Sequence, residues 1–247
     1  MSWAALSSDT VSVAESPLET RRFGLDVARV NVGLQADIEV ERLAGILEEL
    51  STDLAIVRYP ASKVTWAHTL ANRLDGVVFH ADTLIYWHLA LSGRPIPDPV
   101  QGATSDLDPE SVASSVGRIF ADYSNHYSAN PRLNDRLALD GYQEWAANSA
   151  SAGNAITLVS EGETIAVATV EAGDGYLEIL LAGVEPNRQG RGEYVRLLQA
   201  VERRAAGLGV DEVYIATQAG NIRVQRAWAR YGFRPAAAFE TVHHLRE

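Results

Sequence analysis

The chain has 247 residues, with 21 Lys and Arg against 32 Asp and Glu, so its formal net charge is −11 at pH 7. We do not expect nonspecific binding of nucleic acid, because a phosphate backbone is held by clustered basic side chains. The absence of cysteine excludes a disulfide framework, a thiolate metal site and a cysteine nucleophile. No apolar run reaches the roughly 18 to 20 residues of a membrane span, and the first residues lack the pattern of a secretory signal, so we expect a cytoplasmic protein.

The first ninety residues predict a small module behind a loose tail. Residues 1–16 are small and polar without periodicity, which is typical of a flexible tail. The module covers residues 17–91, where apolar residues alternate at strand spacing and at helical spacing in turn. Its expected order is β-α-β-α-β, with elements at 24–32, 37–50, 54–57, 64–74 and 77–89.

Residues 92–107 are rich in proline, glycine and aspartate and predict a linker. A second domain, 108–247, begins with Asp108 and Pro109, a pair typical of a helix N-terminus. Two glycine-containing turns separate three short strands between residues 155 and 184, which predicts an antiparallel meander. The expected order of this domain is α-α-β-β-β-α-β-α-β, a mixed α/β layer.

The segment VEPNRQGRGEY at residues 184–194 leads from the end of a strand into a helix. Its two glycines allow close approach of a ligand to the main-chain N–H groups of the helix N-terminus. Such an arrangement favours phosphate. The segment lacks the Gly-Lys-Ser/Thr of a P-loop, and Gly-x-Gly alone does not establish a dinucleotide fold. An ordinary tight turn is the alternative.

This segment resembles motif A of the GNAT superfamily, the acetyl-CoA-dependent N-acetyltransferases, whose pattern is Q/R-x-x-G-x-G/A. Gln189 and Gly192 match the pattern, whereas Tyr194 replaces its small last residue. Asn221, on a helix that ends in Gly-Phe, resembles the second signature of the superfamily. The resemblance covers residues 108–247. It implies the α/β (α+β) GNAT fold, a mixed central sheet flanked by helices, preceded here by a smaller, degenerate GNAT-like module.

The resemblance implies acetyl-CoA as cosubstrate and no metal. Glu178 lies eleven residues before Gln189, a place similar to that of the glutamate general base in histone acetyltransferases of the superfamily. The alternative for Glu178 is an exposed strand residue. By the same similarity, the main-chain N–H of Ala182 would face the thioester oxygen and Val184 would pair with the pantetheine arm. The coenzyme-binding residues implied in this way are Ala182, Val184, Gln189, Gly190, Arg191, Gly192, Glu193, Tyr194 and Asn221.

One departure concerns the proton for the leaving sulfur. Many relatives carry a tyrosine seven residues after the motif asparagine, but this chain has Trp228 there. An indole N–H donates a hydrogen bond but does not supply a proton near neutral pH. Tyr231 and Tyr194 are candidate substitutes, with core packing as the alternative for Tyr231.

The segment that connects the first two helices of the second domain is expected to meet the acceptor. Tyr123, His126 and Tyr127 are polar aromatic residues that could bind a sugar or a base. His126 is also an alternative general base, because an ordinary histidine titrates near neutral pH. A loop that merely caps helices is the alternative for the whole segment.

Four short segments resemble bacterial dTDP-fucosamine acetyltransferases and their relatives: 17–24, 53–60, 126–133 and 216–221. Those enzymes acetylate the amine of a nucleotide-linked 4-amino-4,6-dideoxy sugar. The resemblance implies direct transfer of acetyl from acetyl-CoA to a dTDP-amino sugar in a ternary complex. A protein, peptide or aminoglycoside amine as acceptor remains open, as do a non-catalytic coenzyme A-binding module and a homodimer.

Overall fold

The structure is a computed structural model that describes residues 2–106 and 108–246. Its strands are β1 Val11–Glu15, β2 Val27–Val32, β3 Leu54–Pro60, β4 Val77–Ala90, β5 Ala103–Thr104, β6 Ala155–Ser160, β7 Glu163–Ala172, β8 Tyr176–Val184, β9 Glu212–Gln218 and β10 Arg234–Leu245. Its α-helices are α1 Trp3–Ser7, α2 Pro17–Phe23, α3 Val40–Glu49, α4 Trp66–Arg73, α5 Pro109–Ile119, α6 Asp135–Ser151, α7 Glu193–Leu208 and α8 Ile222–Tyr231. Two 3₁₀ helices lie at His126–Ala129 and Pro186–Arg188.

Within the described residues, the ten strands form one mixed sheet in the order β1-β2-β3-β10-β4-β9-β8-β7-β6-β5. The last strand of the chain, β10, lies between β3 and β4 and pairs antiparallel with both. Strand β4 in turn pairs antiparallel with β9. The N-terminal and C-terminal parts of the chain therefore share main-chain hydrogen bonds across the middle of one sheet.

The predicted order of elements is confirmed in both parts, except that α2, which begins the N-terminal part, was not predicted. The N-terminal part contains β2-α3-β3-α4-β4, and the C-terminal part contains α5-α6-β6-β7-β8-α7-β9-α8-β10. Helix α3 shows why the periodicity was informative: Val40, Leu43 and Leu47 lie on one face and are buried against the sheet. The segment predicted as a linker contains β5, which pairs with β6 at the sheet edge.

The prediction of a flexible tail over residues 1–16 is wrong for its described residues. Residues 3–7 form α1, residues 11–15 form β1, and β1 pairs antiparallel with β2. The side chain of Leu6 is fully buried. Local sequence carries little sign of this order, because the partners that stabilise it lie far along the chain.

Strands β8 and β9 position the site described below. They pair in parallel over Tyr176–Ile179, and within the described residues this pairing does not continue into the second half of β8. An extra residue in β8, Leu180, forms a bulge opposite β7 at the point where β8 leaves β9. Helices α7 and α8 pack on one face of this region, and α5 and α6 pack on the other. No helix in the described part of the chain combines the length and apolar character that crossing a membrane requires.

Candidate active site

A cavity of about 1000 Å³ begins where β8 parts from β9. One end is lined by the second half of β8, the first turn of α7 and α8. The other end reaches α2, β2, β3 and the 3₁₀ helix at 126–129. The N-terminal and C-terminal parts of the chain both contribute walls, so the shared sheet is what assembles this cavity.

The first turn of α7 faces the cavity with main-chain N–H groups. Gly190 and Gly192 both have left-handed backbone conformations, with φ of +77° and +85°. Gly192 is the N-cap and provides no side chain, so the first N–H groups of the helix remain available to a ligand. A Cβ built on either glycine would meet no atom within 4 Å. This end of the cavity can therefore accept a phosphate group in close contact with the main chain.

Polar side chains beside α7 support the same end. The Gln189 amide donates to the Val184 carbonyl (3.1 Å) and its oxygen accepts a hydrogen bond from Arg223 (2.9 Å). The Asn221 amide donates to the Thr217 hydroxyl (3.0 Å), which connects the start of α8 to the end of β9. Arg223 thus places a cation next to the helix N-terminus, which strengthens its preference for an anion.

Trp228 and Tyr194 form a hydrogen-bonded pair in the wall of the cavity. The indole Nε1–H of Trp228 donates to the Tyr194 hydroxyl oxygen at 2.8 Å. Burial raises the pKa of Tyr194 above its ordinary value, so its hydroxyl stays protonated at neutral pH. Tyr231 does not belong to this pair: its hydroxyl donates to Glu202 in α7 at 2.6 Å, and its side chain packs in the core beside Phe233.

Glu178 lies on β8 and is 3% exposed, so the alternative of an exposed strand residue is wrong. The main-chain N–H of Trp3 donates to its Oε2 at 2.6 Å, and the Tyr86 hydroxyl donates to its Oε1 at 3.0 Å. Burial raises the pKa of Glu178 to about 7, although the two hydrogen bonds act in the opposite direction. A carboxyl group with this pKa can both accept and release a proton near neutral pH.

The far end of the cavity contains a buried ion pair. Arg29 donates to both carboxylate oxygens of Glu19, and it also donates to the Tyr127 hydroxyl at 2.8 Å. The Tyr127 hydroxyl in turn donates to Glu19. Burial alone would raise the pKa of Glu19, but the Arg29 guanidinium and the hydrogen bonds outweigh it and lower the pKa to about 2. The pair therefore stays charged across the neutral range, and Arg29 remains beside the cavity as a guanidinium.

His126 and Tyr123 line the cavity between these two ends. The Nδ1 of His126 lies 3.0 Å from Nε2 of His243, and both rings are buried. Burial, with further contributions from Arg58, Arg29 and His243, lowers the pKa of His126 well below its ordinary value. The imidazole is therefore neutral at pH 7 and binds a proton weakly. The Tyr123 hydroxyl donates to Gln218 at the end of β9.

The cavity brings together most of the residues predicted from the sequence. Those that line it are Tyr123, His126, Tyr127, Glu178, Ala182, Val184, Gln189, Gly190, Gly192, Tyr194, Asn221 and Trp228. In the described chain the lining does not include Arg191, Glu193 or Tyr231. Arg191 is exposed to solvent, and the carboxylate of Glu193 is held by Arg196 at 2.6 Å.

Sequence reasoning missed Trp3, Tyr86 and the charged residues at the far end. Tyr86 lies on a predicted strand, but its proximity to Glu178 depends on the pairing of β4 with β9, which no local pattern reports. Arg29 and Arg58 lie on strands of the N-terminal part. A charged residue within an otherwise apolar strand was the one sequence signal that could have marked them as site residues. The residues that the structure describes hold no group of three or more His, Asp or Glu side chains placed to bind a metal ion.

Comparison with known proteins shows which family and which solved structures this chain resembles. Residues 118–233 match the model of the Acetyltransferase (GNAT) family. A GCN5-related N-acetyltransferase from Sphaerobacter thermophilus is similar in structure, with a TM-score of 0.64, 16% identity and coverage of 95% of this chain and 76% of that chain. A GCN5-related N-acetyltransferase from Kribbella flavida has a TM-score of 0.58 at 12% identity, covering 88% and 81%. A tandem GNAT protein from the clavulanic acid biosynthesis pathway has a TM-score of 0.54 at 11% identity, covering 89% and 75%. A search of curated proteins found no match.

The mixed sheet flanked by helices is the GNAT fold, as predicted. The match to the GNAT family lies in residues 118–233, and the chain has the fold of solved GNAT acetyltransferases, so it is an acetyl-CoA-dependent acyltransferase. Members of this superfamily take acetyl-CoA as acetyl donor and small-molecule or peptide amines as acceptors.

The raised pKa of Glu178 predicts a pH-dependent stability. The carboxyl ionises near pH 4.5 in the unfolded chain and near pH 7 in the folded one, so the parent loses stability as pH rises between these values. Glu178→Gln stays neutral. The free energy of unfolding of this variant, relative to the parent, should rise by about 3 kcal/mol between pH 4 and pH 8, as measured by urea denaturation. Glu163→Gln, an exposed change on β7, controls for the loss of one carboxylate. If the free energy of unfolding depends on pH equally in the parent and in Glu178→Gln, the pKa of the Glu178 carboxyl is not raised.

Proposed function

We propose that the chain transfers the acetyl group of acetyl-CoA to the amine of a nucleotide-linked amino-deoxy sugar, a dTDP-amino sugar, by direct attack in a ternary complex. The observation that carries this proposal is the cavity, which runs from the N-terminus of α7 past Glu178 to an arm lined by Arg22, Arg29 and Arg58. A nucleotide sugar carries a diphosphate, and guanidinium groups are well suited to phosphate oxygens.

Charge in this arm supports an anionic acceptor. Arg58 is 7% exposed, and burial is the largest influence on its pKa, which is lowered. The lining of the arm carries Arg22, Arg29 and Arg58 against Glu19 and Glu144, an excess of positive charge that suits an anionic group. Arg22, which pairs with Glu144 at 3.1 Å, adds a second cation at the mouth of the arm.

Aromatic side chains in the wall of the arm support a ring-bearing acceptor. Phe120, Tyr123 and Tyr142 form a cluster with ring centroids 5.5 to 6.3 Å apart, and all three line the cavity. Aromatic faces bind both sugar rings and nucleobases. The arm is lined by α2, α6 and the 3₁₀ helix at 126–129, and a concave site of this kind favours a small molecule over a folded protein as acceptor.

In the proposed mechanism, Glu178 takes a proton from the ammonium group of the acceptor, and the freed amine attacks the thioester carbonyl carbon. The carbon–sulfur bond then breaks, the sulfur leaves as the thiol with a proton from a nearby donor, and the nitrogen gives up its second proton, which replaces the one that the donor lost. Ala182 and Val184 lie on the part of β8 that has left β9, where their main-chain groups can meet the thioester oxygen and the pantetheine arm. The first turn of α7, with Arg223, would hold the diphosphate of coenzyme A.

For the proton of the leaving sulfur, Tyr194 is the donor that we propose. Its oxygen accepts the Trp228 N–H, so its own O–H is directed away from the indole and can donate to a sulfur in the cavity. Tyr231 is a poor candidate because its hydroxyl is engaged by Glu202. A coenzyme thiol has a pKa of about 8.5, so its thiolate is a fair leaving group. Tyr194 therefore accelerates the transfer but is not required for it.

The acceptor class is tested by the products. Purified protein is incubated with acetyl-CoA and a panel of dTDP-amino sugars, aminoglycosides and peptides with free amines, and the products are analysed by mass spectrometry. We expect one added acetyl group on a nucleotide-linked amino sugar. Acetylation of only peptides or aminoglycosides would overturn the proposed acceptor, and transfer to none of them would favour a non-catalytic coenzyme A-binding module.

A matched pair of glycines tests the coenzyme end. Gly192→Ala places a methyl group in the open space at the start of α7, where the diphosphate would approach, and should raise the Kd for acetyl-CoA at least about tenfold. Gly209→Ala imposes a similar left-handed strain, of about 1 kcal/mol, at the opposite end of the same helix. By isothermal titration calorimetry, Gly209→Ala should bind like the parent. Equal affinities in the two variants would contradict this placement of the coenzyme.

The proposed proton donor is tested by Tyr194→Phe. Removal of the hydroxyl should lower kcat about a hundredfold with little change in the KM for acetyl-CoA, because the ring remains in place. Trp228→Phe keeps an aromatic ring but removes the hydrogen bond that orients Tyr194 and part of the buried ring volume, and it should cost less than about tenfold in kcat. A larger loss in Trp228→Phe than in Tyr194→Phe would show that the indole, not the phenol, serves the leaving group.

A further inference from the structure

Helix α1 lies on the face of the sheet that carries Glu178. The ring of Trp3 stacks on Tyr214 of β9, with centroids 4.3 Å apart, and its centroid is 5.0 Å from that of Tyr86 on β4. Leu6, one turn further along α1, is fully buried in the same cluster. An aromatic ring with two ring partners and a buried leucine beside it fix the position of a short helix that would not be stable alone.

This position brings main chain to the Glu178 carboxylate. The Trp3 N–H donates to Oε2 and the Tyr86 hydroxyl donates to Oε1, so each carboxylate oxygen accepts one hydrogen bond. Each oxygen keeps a second lone pair for a proton. Two donors on two oxygens determine the rotation of the carboxylate plane, which neither donor would do alone.

We infer that residues 3–7 are a positioning element of the acetyl-transfer site, in which Trp3 orients the Glu178 carboxylate and covers it from water. This inference rests on the proposed role of Glu178 as general base. Trp3 does not touch the reacting atoms and acts through Glu178 alone.

The segment is attached to the N-terminal part of the chain. The Leu34 N–H donates to the Leu6 carbonyl at 2.8 Å, and the Gln35 N–H donates to the Ser8 carbonyl at 3.1 Å. Gly33 passes so close to Ser8 that any Cβ at this position would overlap the Ser8 carbonyl oxygen. The turn after β2 therefore holds α1 in place, and a residue of the C-terminal part, Glu178, depends on it for its orientation.

The groups around Glu178 define how a change at Trp3 would act. The titratable neighbours of Glu178 lie on four strands: Tyr86 on β4, Tyr214 and Glu212 on β9, Tyr176 on β8 and Glu171 on β7. Burial is the largest cause of the raised pKa of Glu178, so loss of the Trp3 ring should lower that pKa. The Trp3 N–H stabilises the charged form, so loss of this donor should raise the pKa. The two contributions have opposite signs and can be separated.

Two variants of Trp3 separate them. Trp3→Ala removes the ring but keeps the N–H, whereas Trp3→Pro removes both. Proline suits the first position of a helix, and the preceding Ser2 is already extended (φ −116°, ψ 156°), as a residue before proline should be. The readout is the acidic limb of the pH profile of kcat/KM, which reports the essential base of the free enzyme.

We expect the acidic limb of Trp3→Ala to move to lower pH by about one unit or more. The limb of Trp3→Pro should lie at higher pH than that of Trp3→Ala. Trp66→Ala removes another buried tryptophan, on α4 and packed against Tyr59, and should leave the limb unchanged. Limbs at the parent position in both Trp3 variants, or an equal shift in Trp66→Ala, would overturn the inference.

Two further variants complete the test. Gly33→Ala should displace residues 3–7 while leaving Trp3 in the sequence. If the acidic limb of this variant is unchanged, the inference fails. This variant also keeps the test decisive if the Trp3 variants do not fold. Glu178→Gln distinguishes the two proposals. If it keeps an acidic limb, Glu178 is not the base and the proposed mechanism fails; if the limb disappears while the Trp3 variants resemble the parent, only the role of residues 3–7 fails.

Discussion

The separation of β8 from β9 is the constraint on which the site depends. The two strands pair in parallel for four residues and then part at the Leu180 bulge, which leaves a gap inside an otherwise continuous sheet. A gap of this kind exposes strand main chain to a ligand without creating a free sheet edge elsewhere. The cavity begins in this gap, and the helix that follows β8 presents its N-terminus to the same space.

The gap is tolerable because the sheet is held together on both sides of it. On one side β8 pairs with β7, and on the other β9 pairs with β4, which pairs with β10. Since β4 belongs to the N-terminal part and β10 is the last strand of the chain, neither part completes the sheet alone. The N-terminal part therefore contributes to the site in two ways, by supporting β9 and by supplying the far wall of the cavity.

Burial of charge distinguishes the two ends of the cavity. At the end formed by the start of α7, main-chain N–H groups and an exposed arginine face open space, an arrangement suited to an anion. Around Glu178 and Arg58, charged groups are almost completely removed from water, where electrostatic interactions are stronger. A carboxyl group with a pKa near 7 is the direct result of that burial. The same burial keeps His126 neutral, so the two candidate bases differ in proton affinity because of their surroundings and not their residue types.

Local sequence patterns were sufficient to predict the elements that are marked by their own apolar spacing and turn residues. Helix α3 and the meander of β6, β7 and β8 followed from apolar spacing and turn residues, because one face of each is buried and the other is not. Residues 3–15 carried no such pattern, since Leu6 and β1 are stabilised by a strand and a turn that lie some twenty residues further on. At the site, the segment 184–194 was recognisable because a strand, two glycines and a helix start are consecutive in sequence.

The amino-acid sequence by itself determined the order of elements from β2 to β4 and from α5 to β10, the glycine turn at the start of α7 and the glutamate eleven residues before Gln189. Tertiary structure alone decided that Trp3 and Tyr86 hold this glutamate, that Tyr194 meets Trp228, and that Tyr231 belongs to the core. The physical reason is that periodicity and turn chemistry act over a few residues, whereas the Tyr194–Trp228 and Trp3–Glu178 hydrogen bonds join residues 34 and 175 positions apart.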